Sequence, residues 1–311
     1  MTGGAPLTPA RGSRQAPSRN LKLGFCLALV SATSFGVMIS MARLTYEAGS
    51  NSLTVVFLRA LVPSLLIAGI MVLRRQSFAL QPGAFWPVAG VVLGQLGIAL
   101  GYLSAVAFIP VSLAAMIFYA YPLVVALAVV LLGRSGIAWP KVLAFVTAFA
   151  GLGLALAPSY AVLNPWGLAL AACATLSGAL LFISAERLPA AQGFLSVGFY
   201  ANAVAVLVAG LAIFALDAFA LPQGAVGWTT LTAICLSFLV AFFSMIGAIR
   251  FAGALRAALI FNLEPLVAIF GAVVLLGERL DTTQTTGVIL VLAALMAATL
   301  AERREKAAAA P

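Results

Sequence analysis

Phe261-Asn262-Leu263-Glu264-Pro265 sets an amide, a carboxylate and a helix-breaking proline in the middle of an apolar run from Ala254 to Gly277. A related stretch, Phe118-Tyr119-Ala120-Tyr121-Pro122, lies inside the run from Pro110 to Leu132. Sliding one onto the other by 143 positions pairs Phe108 with Phe251, Ala114-Ala115 with Ala257-Ala258, and Ile117-Phe118 with Ile260-Phe261. The same shift pairs Pro122-Leu123-Val124 with Pro265-Leu266-Val267. The chain is therefore read as an internal duplication, and each copy carries a proline midway along an apolar segment.

The repeat reaches outward from these stretches. Gly24, Leu27, Ala28 and Ser34 match Gly167, Leu170, Ala171 and Ser177 at the same offset, and Ile39, Ser40, Arg43 and Leu44 match Ile183, Ser184, Arg187 and Leu188 one residue further on. Composition says what the duplicated unit is. With 64% hydrophobic and 8% charged residues and a mean hydropathy of +1.15, the chain lacks the polar groups that would cover a soluble surface. Its apolar runs have the roughly 20-residue length that a helix needs to cross about 30 Å of hydrocarbon. They lack the alternation of a transmembrane strand. Ten spans are expected, at 22–42, 52–73, 84–107, 110–132, 138–157, 166–186, 194–216, 226–249, 254–277 and 282–300. Gln81-Pro82-Gly83, Ile109-Pro110, Trp139-Pro140 and Asn164-Pro165 punctuate them.

The fold class predicted is an all-α membrane protein of ten transmembrane helices. Residues 1–21 are expected to form a disordered basic cytoplasmic tail, 22–158 the first five-helix repeat, 164–301 the second, and 302–311 a cytoplasmic tail. The segment after residue 21 outlasts a signal peptide's apolar region and has no clean cleavage site, so it is read as a retained helix. With the N-terminus in the cytoplasm, fourteen lysines and arginines fall on the inner side and two, Arg43 and Arg279, on the outer. Both termini are then cytoplasmic. Five spans per repeat is an odd number, so the second repeat is inverted relative to the first. That arrangement places a substrate site near the midplane, between the halves.

Candidate functional residues are the polar and aromatic groups set into hydrocarbon. Pro122 and Pro265 each deprive a carbonyl, Phe118 or Phe261, of its helical donor, and symmetric placement marks them as hinges. Glu264 is a carboxylate at mid-membrane depth, where a charge costs at least ~2.5–3.5 kcal/mol. It must face a cavity, find a partner or be protonated. A proton-coupling or ammonium site and a structural tie between helices both fit. Arg59 is expected to pair structurally with Glu278, with direct cargo contact the alternative. Ser34, Gln95, Tyr102, Tyr119, Tyr121, Ser177, Phe238, Ser244 and Asn262 join Glu264 as candidates for lining a small-molecule cavity. Trp86, Trp139, Trp166 and Trp228 lie near span ends, as interface belts do. Gly90-x-x-x-Gly94 and Gly97-x-x-x-Gly101 permit close helix approach. Cys26, Cys173 and Cys235 read as small packers, and with no histidine in the chain no metal or other cofactor is called for.

The chain resembles the EamA-type members of the drug/metabolite transporter superfamily. The resemblance rests on the inverted duplication, on Glu264-Pro265-Leu266-Val267-Ala268 with Leu276-Gly277-Glu278-Arg279, and on Phe57-Leu58-Arg59-Ala60. Leu132-Gly133-Arg134 lacks the glutamate that many relatives carry there. The resemblance implies export of small metabolites across a bacterial inner membrane. In character the chain is most similar to YddG-like exporters of aromatic and hydrophobic amino acids. Its partners would then be a small-molecule cargo and the lipid bilayer, with no nucleic acid; the oligomeric state stays open. Two alternatives remain: export of cationic drugs or other metabolites coupled to protons through Glu264, and, in another class, a membrane-embedded transferase or lipid-handling enzyme. The enzyme reading lacks the paired carboxylates, histidine or metal site that such chemistry needs.

Overall fold

The computed structural model describes residues 20–105, 107–131, 139–157, 163–276 and 279–308, and every regular element among them is a helix. In chain order they are α1 (Leu21–Glu47), α2 (Ser52–Leu73), α3 (Phe85–Ala105), α4 (Val111–Phe118), α5 (Tyr121–Leu131), α6 (Trp139–Leu156), α7 (Pro165–Glu186), α8 (Phe194–Leu216), α9 (Gly224–Ala252), α10 (Ala254–Phe261), α11 (Leu263–Leu276) and α12 (Thr282–Ala308). Eight helical stretches are long and apolar enough to cross a membrane, counting α4 with α5 and α10 with α11. Two shorter apolar stretches, Val142–Leu156 and Thr282–Ala297, lie in α6 and α12. The expected tail over residues 1–21 falls outside the described residues as far as residue 19.

Local chemistry sets the helix starts. Asn20 caps α1 by accepting from Leu23 N, and Asn164 caps α7 by accepting from Trp166 N and Gly167 N ahead of Pro165. The first helix of each repeat thus begins on asparagine. Gly253, at φ +92°, turns the chain between α9 and α10 in a single residue. Two expected spans, 110–132 and 254–277, are each broken into two helices. The breaks fall at Tyr119–Ala120 and at Asn262, two to three residues ahead of Pro122 and Pro265, whose missing N–H groups interrupt the helical ladder. Helix α1 also runs five residues beyond the expected end at residue 42, to Glu47, which pairs with Arg43 at 3.1 Å.

Packing exchanges equivalent helices of the two repeats. The α1–α9 contact answers the α3–α7 contact, α1 also meets α10 and α11 as α7 meets α4 and α5, and α2–α8 and α6–α12 pair across the centre. Contacting residues give the directions. Gly24 lies at Ala252 and Ser31 at Ala241, so α1 and α9 are antiparallel; Gly94 at Leu181 and Gly101 at Ala174 make α3 and α7 antiparallel as well. Helices α2 and α8 (Gly198 at Ile67, Gly210 at Phe57) and α6 and α12 (Gly151 at Leu290, Gly287 at Ala155) run oppositely too. Gly36 at Val267 and Ser40 at Ala268 make α1 and α11 parallel.

Small residues make these approaches possible. The four glycines 90, 94, 97 and 101 form one stripe of α3 lying on α7, and a Cβ at Gly94 would stand 2.7 Å from Ser177 O. Bulky apolar groups point outward, including Phe214 (89% exposed) and Leu73 (85%), as lipid-facing surfaces require. Trp86, Trp166 and Trp228 are exposed near helix ends. The side chain of Trp139 is outside the described set. Cys235 is buried as expected, but Cys26 and Cys173 are exposed. Their positions on the outer faces of α1 and α7 correct the expectation that all three cysteines are packers.

Loops close both ends. Ser50 Oγ donates to Ala220 O and Asn51 Nδ2 to Ala218 O, stitching the α1–α2 turn to the α8–α9 loop. At the opposite end Gln81 N donates to Gln192 Oε1, and Arg250 stacks on Phe194 and donates to Ala190 O. The glycine stripe yields a direct test. Gly94→Ala is expected to lower stability by roughly 1–3 kcal/mol through overpacking, whereas Gly69→Ala, which meets open space, causes no loss. Thermal unfolding of the purified protein in detergent measures both.

Candidate functional site

The two proline breaks meet. Tyr119, at the end of α4, donates its hydroxyl hydrogen bond to Glu264 Oε1, in the first turn of α11, at 3.1 Å. Tyr119 is buried and Glu264 is half-buried at midspan. Gly36 of α1 makes room behind it, since a Cβ there would stand 2.7 Å from Glu264 O. Tyr102 and Tyr121 lie within electrostatic range of the same carboxyl.

Each break loosens backbone groups that hydrocarbon cannot satisfy. Thr175 Oγ1 of α7 donates to Ile117 O at 2.7 Å, next to the first break. Past the second break, Ser40 Oγ of α1 lies 3.2 Å from Ala268 O. Thr175 thus ties α7 to α4 at the first break, and Ser40 ties α1 to α11 beyond the second.

Aromatic rings run without a gap from this centre across the bundle. Phe118 contacts Tyr102, Tyr119 and Tyr121 at centroid distances of 5.9, 5.0 and 5.5 Å. Tyr121 leads to Phe182 (5.1 Å), Phe182 to Phe261 (5.4 Å), Phe261 to Phe35 (6.3 Å) and Phe35 to Phe238 (6.2 Å). The Arg59 guanidinium sits over Phe238 with Cζ 4.6 Å from the ring centroid, and its Nη1 lies 3.7 Å from Met38 Sδ. This run has an acid and a phenol at one end and a base at the other.

Of the residues singled out in the sequence, Tyr102, Tyr119, Tyr121, Phe238 and Glu264 fall on this path, and buried Asn262 caps α10 at the second break. Gln95 lines a recess with Arg59 and Phe238 between α2, α3, α8 and α9. Ser177 packs against Gly94 and Gly97 in the α3–α7 contact, Ser34 is half-buried on α1, and Ser244 is buried on α9. The expected Arg59–Glu278 pair lies outside the described residues, because Glu278 does; Arg59 itself points inward to Phe238 and Met38. Asn202, Phe35, Phe182 and Thr175 were not singled out. Asn202 was open to discovery as an amide alone in the apolar run of α8, whereas the others look like ordinary span residues until the helices are assembled.

The Tyr119–Glu264 hydrogen bond is testable by itself. A double-mutant cycle of Tyr119→Phe and Glu264→Gln, read by thermal unfolding, is expected to give a coupling of about 1 kcal/mol or more. Additive effects would show that hydroxyl and carboxyl do not interact.

Comparison with known proteins agrees with this architecture. Among solved structures, one described simply as the crystal structure of a protein superposes with a TM-score of 0.74 at 18% identity, over 90% of this chain and 98% of its own. That likeness is one of fold. No curated protein matches the chain. The model of the EamA-like transporter family matches twice, over residues 22–157 and 165–300, and so spans both repeats. Such proteins move small molecules across membranes and are not enzymes. With two family units filling the chain and helices suited to the bilayer, the protein is a multi-pass membrane protein belonging to the EamA-like transporter family.

Proposed function

We propose that this transporter exports small metabolites, foremost aromatic and hydrophobic amino acids, by alternating access about a midplane cavity. The observation that carries the reading is the meeting of both helix breaks at Tyr119 and Glu264, within a continuous run of aromatic rings. Apolar walls with a few polar handles suit an amphiphilic cargo. In this reading ten crossings form two inverted five-helix repeats in a bacterial inner membrane, with both termini in the cytoplasm. The antiparallel α1–α9 and α3–α7 contacts and the charge distribution support it. Pro122 and Pro265 act as hinges. Ser34, Gln95, Tyr102, Tyr119, Tyr121, Phe238, Ser244, Asn262 and Glu264 supply the cavity surface, and Ser177 holds α7 to α3 at its edge.

A second reading has its own support. Glu264 is partly exposed at midspan and hydrogen-bonded to one phenol, a setting in which a carboxyl exchanges a proton or receives an ammonium group. Export of cationic drugs or other metabolites would then be coupled through Glu264.

Two measurements test these proposals. Phe108→Cys and Phe251→Cys occupy matching places in the repeats, on opposite membrane faces in this reading. Adding phenylalanine is expected to change their labelling by an impermeant maleimide in opposite directions; unchanged labelling at both would count against alternating access. Reconstituted vesicles are expected to show phenylalanine counterflow, and Glu264→Gln to retain it. Loss of that flux in Glu264→Gln, together with proton-driven dye transport by the unsubstituted protein, would favour the second reading.

A further inference from the structure

We infer that the ring of Phe182 is the cytoplasmic gate: held between Tyr121 and Phe261, it seals the inner half of the path between the repeats, and the structure is the state in which the outer half is parted. The inference deepens the proposed alternating access. It rests on that reading for which end is cytoplasmic, though not for the difference between the two ends.

An inverted repeat supplies its own control, because equivalent contacts would match if the two ends were alike. They do not match. Helix α10 packs on α5 and on α7, and all of α10 lies in the half of the bundle assigned to the cytoplasmic side. The equivalent outer pairs are α4 with α11 and α4 with α1. Among the described residues, which include the whole of these three helices, neither pair packs in that way. Tyr119 does reach Glu264, but at the midplane, where α4 ends and α11 begins. The apolar cores show the same difference. Leu113 and Ala114 of α4 pack with Ala105, Ile109 and Ala171 as an island apart from the main core. Ala257, Ala248 and Ala28, which the shift of 143 residues pairs with Ala114, Ala105 and Ala171, belong instead to the main core, together with Tyr121, Phe182 and Phe261.

Phe182 sits where the difference is made. Its ring centroid stands 5.1 Å from that of Tyr121 on α5 and 5.4 Å from that of Phe261 on α10, so one side chain of α7 bridges both broken helices. All three rings are buried. Their counterparts in the other repeat are Met38, Glu264 and Phe118, with Met38 preceding Ile39 as Phe182 precedes Ile183. Those three are half-buried. Met38 is turned to Arg59, its sulfur 3.7 Å from Nη1. Exchange of conformations between the repeats moves Met38 against Phe118 and Glu264 and closes the outer half. Phe182 then withdraws from Tyr121 and Phe261, and the inner half opens.

The test labels single cysteines in the full chain, with Cys26, Cys173 and Cys235 replaced by serine, using an impermeant maleimide on intact cells and on inside-out vesicles. Phe118→Cys reports on the outer half, and Val125→Cys, at a buried position of α5, on the inner half. Phe118→Cys is expected to label from outside and Val125→Cys from neither side. Phe182→Ala is expected to speed labelling of Val125→Cys from the cytoplasmic side and to slow that of Phe118→Cys from outside, each at least about fivefold. A ring that only fills space gives another result, since its loss loosens the bundle and speeds both reporters. Should Phe182→Ala fail to fold, Phe182→Met decides, with changes of the same sign. Phe118→Cys silent from outside, Val125→Cys labelling from outside as fast as Phe118→Cys, both reporters speeding, or neither changing would overturn the inference. Opposite shifts with phenylalanine at Phe108→Cys and Phe251→Cys, beside an inert Phe182→Ala, keep alternating access and remove the gate. Opposed responses to Phe182→Ala without any response to phenylalanine leave the gate standing and remove phenylalanine as cargo.

Discussion

Hydrocarbon offers no hydrogen bonds, and that single constraint governs the assembly of this protein. A proline midway through a crossing helix interrupts the ladder at a depth where no water can repair it. Beside the breaks, side chains of other helices come in to bond backbone: Thr175 of α7 reaches Ile117 O next to the first, and Ser40 of α1 reaches Ala268 O in the helix that follows the second. A serine or threonine reaches a neighbouring backbone only if the two helices nearly touch. Near contact is what the glycines and alanines of α1, α3, α7 and α9 allow. The broken helices, the hydroxyls and the small-residue faces are parts of one solution.

The same constraint explains why the protein looks reversed relative to a soluble domain. Alanine, glycine and serine make the close helix contacts, beside a centre of buried rings such as Phe182, Phe238, Phe242 and Phe261, while many leucines face outward. No difference in hydrophobicity separates the two, so shape and backbone satisfaction select what packs. Specific polar contacts then mark places rather than add bulk stability. Tyr119 with Glu264 marks the place where the two broken helices approach, and Arg59 with Phe238 marks the inner side of α2.

Much of this was written in the chain. Length and hydropathy identify the spans because a crossing helix has a narrow range of lengths, and the offset of 143 residues exposes the duplication because Phe118 and Phe261 each precede a proline by four positions. The stripe at Gly90, Gly94, Gly97 and Gly101 was readable as a close-packing face, although its partner α7 was not. What remained hidden depends on rotation about a helix axis. Nearly every face of these helices is apolar, so periodicity does not say which way Arg59 or Phe182 points. Position along a helix was legible and azimuth was not. Arg59 was matched to Glu278, which lies outside the described residues, by depth alone, and the place of its guanidinium at Phe238 and Met38 was not to be read from periodicity.

The exposed thiols of Cys26 and Cys173 have a practical meaning of their own. They lie on α1 and α7, the opening helices of the two repeats, and face outward where acyl chains would run. A spin label or fluorophore soluble in lipid can reach each of them, while Cys235 is shielded. The native sequence thus carries one reporter on each half, seated on symmetry-related rods and clear of the central rings. Spectroscopic ranging between halves can begin from the unaltered chain.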